Sequence, residues 1–78
     1  MSITEFLDDY RCDPETRRVM AVAYEMACAA LKFENQTYLA HETIAKRIIA
    51  LAKDGVVDLD RLCDQALNSA YAAYRRNA

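Results

Sequence analysis

One histidine, three cysteines and a cluster of aspartates carry what reactive chemistry this chain has. His41-Glu42-Thr43-Ile44-Ala45 spells the opening of a zinc-protease helix, in which two imidazoles four residues apart share one face and bind a metal. The second imidazole position is Ala45, so no metal site is assigned. His41 falls on an apolar helix face near a helix start, where packing or a hydrogen bond accounts for it. Cys12, Cys28 and Cys63 are odd in number and include no C-x-x-C pair. A Cys/His metal site would need ligands gathered from separate segments, and a single Cys with a distant His matches no nucleophile signature. As small apolar side chains the cysteines are accounted for. Asp58, Asp60 and Asp64 lack the central glycine and closing glutamate of a calcium loop and fit a helix cap with a solvated face behind it. A single glycine rules out a Gly-rich phosphate cradle. The chain therefore reads as non-enzymatic, with no catalytic, cofactor-binding or metal residue.

The elements that position these residues are helical. Fourteen alanines against one glycine and one proline oppose sheets, whose turns need Gly and Pro and whose pleats favour larger side chains. Ser2-Ile3-Thr4-Glu5 has the capping-box pattern, and Ile3, Phe6, Leu7 and Tyr10 share a face, predicting a short helix over about Ile3 to Tyr10. Its other face is acidic, with Asp8 and Asp9 at the dipole's disfavoured end, so it needs docking to persist. Asp13-Pro14-Glu15 is the strongest start: a cap, a preset φ and an acid at the positive dipole end. A helix is expected from there to about Phe33. Thr37 or Asn35 can cap a third helix over about Tyr38 to Lys53, with Gly55 as its left-handed stop. Val57 and Leu62 suggest a hydrophobic staple around an Asp58 cap, opening a fourth helix over about Leu59 to Arg75.

The long helix from Pro14 carries more apolar surface than one neighbour buries. Arg18, Glu25 and Lys32 form a narrow polar stripe; opposite lie Met20, Tyr24, Ala27 and Leu31. A side ridge of Val19, Met26 and Phe33 widens the apolar arc to roughly 240°. A chain of 78 residues, 54% apolar, buries about 8,100 Å² on folding by size scaling. With about 60% of that apolar, burial contributes on the order of 120 kcal/mol against roughly 117 kcal/mol of ordering entropy. A lone copy is marginal, and a second copy on the Val19-Met26-Phe33 ridge would relieve it. Tyr71 and Tyr74 on the last helix form a second candidate contact patch, since Tyr suits a surface half buried and half wet.

Charge weighs against nucleic acid. The net charge is −2, unevenly spread: residues 1–15 hold five acids against Arg11, a local −4, while residues 16–57 hold six bases and four acids, a local +2. An acidic amino-terminal arm could dock on this mildly basic body, in the same molecule or a neighbour. The third and fourth helices, joined at Asp54-Gly55, have the order of a helix-turn-helix, so a DNA-binding regulator is the alternative function. Its recognition helix, however, would open with Asp58, Asp60 and Asp64 against Arg61 alone, which repels phosphates. No leader is expected from Met1 to Tyr10, and Val19 to Leu31 is too short and too charged to span a membrane. Reduced thiols point to the cytoplasm.

The runs Asp13-Pro14-Glu15-Thr16-Arg17-Arg18-Val19-Met20, Ala45-Lys46-Arg47-Ile48-Ile49 and Asp60-Arg61-Leu62-Cys63 resemble a set of small all-helical proteins of alphaproteobacteria that carry no assigned function. The resemblance covers about Asp13 to Leu67 and implies a bacterial cytoplasmic protein, with no site residue to transfer. The expectation is an all-α, three-helix antiparallel bundle with a short extra amino-terminal helix. Its expected role is that of a homodimeric or protein-binding interaction module, with contacts at Val19, Met26, Phe33, Tyr71 and Tyr74.

Overall fold

Each long helix begins at a side-chain oxygen that accepts from the otherwise unpaired N–H groups of a first turn. The computed structural model describes residues 3–7, 10–32 and 36–76, with side chains up to residue 73. Helix α1 (Pro14–Ala30) is capped by Asp13, whose Oδ1 accepts from the Thr16 N–H at 2.9 Å. Hydrogen bonds from Thr16 hold the Asp13 carboxyl below its ordinary range. Helix α2 (Tyr38–Lys53) is capped by the Thr37 hydroxyl, which accepts from Ala40 N–H at 3.1 Å. Helix α3 (Leu59–Arg76) is capped by Asp58, which accepts from Asp60 N–H at 3.0 Å.

The stops differ in kind. At the end of α2, Gly55 takes φ +94°. The Gly55 N–H donates to Ala52 O at 3.0 Å and the Val56 N–H to Leu51 O at 2.9 Å, the paired bonds of a Schellman motif. This turn packs Val56 against the core and leaves Val57 51% exposed. Helix α1 ends at Ala30 instead of running on to Phe33. Leu31, buried, turns the chain with its N–H on Cys28 O at 3.2 Å. The Gln36 amide then donates to Cys28 O at 2.8 Å and to Leu31 O at 3.1 Å, satisfying carbonyls that a continued helix would have bonded.

The first element also departs from expectation. Ile3–Phe6 is a single 3-10 turn, continued by Leu7 N–H to Thr4 O at 3.3 Å and Tyr10 N–H to Leu7 O at 2.9 Å. Helices this short are marginal on their own, and here packing sets the path: Ile3 and Leu7 are buried in the common core. The capping-box residue Ser2 lies outside the described residues.

Of the described residues 79% are helical, and they form an all-α antiparallel bundle of three helices packed on one another, with the amino-terminal turn against both α1 and α2. Among the described residues there is no strand. Fully buried alanines at Ala23, Ala27, Ala45 and Ala66 let the axes approach closely. The largest enclosed side chains are Ile3, Met20, Ile44, Ile48 and Leu62. Shortening one of these aliphatic side chains to alanine removes contacts worth about 2 to 5 kcal/mol. No helix among the described residues is long and apolar enough to cross a membrane.

Candidate interaction surface

The apolar ridge on α1 is covered at one end and open at the other. Val19 packs against the core and Val22 is half buried, whereas Met26 is 44% exposed and Ala29 and Ala30 are exposed. Exposed Arg18 and Glu25 flank it; Arg18 Nη2 pairs with Glu15 Oε1 at 2.6 Å. Phe33 lies outside the described residues, as does the side chain of Tyr74. Tyr71 is half buried against the core.

A second surface follows the amino-terminal arm along α2. The described part of the acidic arm docks on the body within the same chain, through contacts to both α1 and α2. Phe6 stands 6.3 Å from the ring of Tyr24 and 6.0 Å from that of Tyr38, and Tyr24 meets His41 edge-on at 6.4 Å. The cluster rises from buried Tyr24 to Tyr38, 61% exposed, beside Leu39, 55% exposed. The Thr37 cap puts these two residues in the first turn of α2, with no preceding turn to cover them. Farther along, the ammonium of Lys53 sits 5.2 Å over the ring of Tyr10. Between arm and helix runs a half-open groove of about 440 Å³. Phe6, Leu7 and Tyr10 form one wall; Lys46, Ile49, Ala50 and Lys53 form the other.

The candidate chemical residues stay apart. His41 Nε2 is 2.9 Å from Gln36 Oε1, and buried Ala45 stands one turn on, where a second ligand would be needed. The three cysteines are free thiols, half buried. Burial pushes the Cys28 thiol up, and burial with the Asp64 and Asp60 carboxylates pushes Cys63 up, so both are poor nucleophiles. Among the described residues no three His, Cys, Asp or Glu side chains gather as a metal site. The Tyr24 hydroxyl is buried with no hydrogen-bond partner of good geometry, and the Cys28 thiol, one turn along, couples to it. Burial first, then that thiol, pushes the Tyr24 phenol up to about 12.

At the start of α3, Asp58, Asp60 and Asp64 are all exposed beside Arg61. The remaining bases are scattered: Lys46 Nζ lies 3.7 Å from Glu42 Oε2, the helical pair expected from their spacing, and Arg47 donates to Gln65 Oε1 at 3.5 Å.

The residues that sequence reasoning missed are Tyr38, Leu39 and the groove pair Lys46 and Lys53 over the arm. Their signal was faint: Lys46 and Lys53 are seven apart on α2, but nothing local shows which segment lies beneath them.

Compared with known proteins, the chain matches no family model, no curated protein and no solved structure.

Proposed function

We propose that this protein is a small non-enzymatic interaction module that acts as a homodimer through the ridge on α1. The observation that carries this reading is Met26, 44% exposed between half-buried Val22 and exposed Ala29 and Ala30. A thioether in that position adapts to many partners. The strip is also self-complementary. An antiparallel two-fold at the level of Tyr24 sets Met26 on the partner's Val22 and Ala29 on the partner's Val19, pairing larger with smaller side chains. Three unpaired thiols suit a reducing, cytoplasmic compartment.

Sedimentation equilibrium tests this. The expected result is a dimer at about 100 μM, with Met26→Asp weakening association at least about tenfold. A monomer at that concentration, or an unaffected Met26→Asp dimer, refutes the reading. The DNA-binding alternative is opposed by exposed Asp60 and Asp64 at the start of α3; a steep salt dependence of binding to random duplex would restore it.

A further inference from the structure

We propose that the groove between the amino-terminal arm and α2 binds a small amphipathic carboxylate, with its apolar body on Leu7, Ile49 and Ala50 and its head on Lys46 or Lys53. The volume of about 440 Å³ falls in the range of small-ligand sites, which combine an apolar lining with a few placed polar groups. Leu7 and Ile49 are core residues that reach the groove floor, and Phe6 and Tyr10 wall it with aromatic faces.

Charge selects the head group. Among the described residues that line the groove, the two charged ones are Lys46 and Lys53, and none is acidic. Lys53 is steadied by the Tyr10 ring, a contact that leaves its N–H donors available; no carboxylate among the described residues pairs with it. Lys46 has only the loose 3.7 Å contact to Glu42, and its side chain is 68% exposed, so it can turn to a ligand at small cost. Seven residues of helix rise separate the two lysines by about 10 Å, so a carboxylate held at one end leaves its tail to run past Ile49 and Ala50 toward the other. A neutral amphiphile would leave Lys53 with only the Tyr10 ring and Lys46 with only Glu42, and a cationic one would meet repulsion. This site stands on a different edge of the molecule from the α1 ridge and does not depend on self-association.

The test is an NMR titration of the full chain with decanoate, decanol and decyltrimethylammonium. Decanoate is expected to shift the amide signals of Leu7, Tyr10, Ile49 and Ala50 and leave those around Met26 in place. Lys46→Gln/Lys53→Gln, which alters exposed side chains only, is expected to weaken decanoate about tenfold with unchanged helical circular dichroism. Lys46→Glu/Lys53→Glu should abolish it. Asp8 and Asp9 lie between groove residues in sequence but outside the described residues, so Asp8→Asn/Asp9→Asn belongs in the series; it should bind decanoate at least as tightly as the parent. Equal affinity for decanol, shifts centred on Met26, an unaffected double Gln variant, or loss of binding in the Asn variant would each overturn the assignment.

Discussion

The imidazole Nε2 of His41 lies 2.9 Å from Oε1 of Gln36, and this contact joins the end of α1 to the start of α2. The Gln36 amide nitrogen is committed to Cys28 O and Leu31 O, so its oxygen faces the ring. Nε2 is then the nitrogen that bears hydrogen and donates, because an amide oxygen only accepts. The single histidine of the chain is held as a structural donor, with its ring edge-on to Tyr24.

Removing Gln36 should therefore unfasten both helix ends. Gln36→Ala is expected to cost about 1 to 2 kcal/mol, since the last carbonyls of α1 lose two donors. Gln36→Glu should be no better, because a carboxylate placed against the negative end of α1 repels. Urea unfolding measures the loss, and faster amide exchange at Leu31 localises it. Unchanged stability in both variants would show that water caps α1 equally well.

Tyr24 predicts the opposite sign. Its buried hydroxyl has no hydrogen-bond partner of good geometry, so Tyr24→Phe sheds a desolvation cost and should stabilise the fold by about 1 kcal/mol. The raised phenol adds a pH signature. Below pH 10 the tyrosine is protonated whether folded or not and contributes no pH dependence. Between pH 10 and the folded value of about 12 the unfolded chain loses the proton while the folded one keeps it, so stability falls as pH rises. The drop should reach about 2 to 3 kcal/mol and be smaller in Tyr24→Phe, which keeps the contribution of Tyr10, also raised, chiefly by burial. Parallel alkaline unfolding curves for the two proteins would contradict this.

What could be read in advance follows how local the determinant is. The span of α2, Tyr38 to Lys53, was legible because its cap Thr37 and its stop Gly55 are adjacent residues with one conformational role each. The end of α1 was not, since its terminator is Gln36, reaching back from beyond the turn. The first element differs from its periodicity for a related reason: the pattern marks Ile3 and Leu7 for burial, but packing on α1 and α2 decides that a 3-10 turn delivers them. For the surface, periodicity gave the width of the apolar arc on α1, but how far neighbours cover Val19 and leave Met26 bare is a tertiary property. The groove depends on Leu7 and Ile49 meeting across most of the chain, which no local spacing encodes.

Gly55 offers a clean backbone test. A Cβ there would meet nothing within 4 Å, yet φ is +94°, so substitution is opposed by conformation and not by crowding. Gly55→Ala should cost about 1 to 2 kcal/mol, and Gly55→Asn less, because Asn tolerates left-handed backbone better. Thermal denaturation of the pair gives the order; equal melting points would argue that the turn readjusts.

Cys63 and Cys28 separate two ways of quieting a thiol. Both are pushed up by burial, but Cys63 also faces the charges of Asp64 and Asp60, whereas for Cys28 burial is the only influence that raises it. Exposed carboxylates are screened by salt and burial is not. Alkylation of Cys63 at pH 8 should therefore accelerate about two- to threefold in 1 M salt, or in Asp64→Asn at low salt, because a larger fraction becomes thiolate. Cys28 should respond to neither change and react only as fast as the α1 end opens, so Gln36→Ala should speed it while leaving Cys63 alone. Mass spectrometry of iodoacetamide-labelled peptides resolves the two sites. If salt accelerated Cys28 as much as Cys63, the contrast between charge and burial drawn from their surroundings would be wrong.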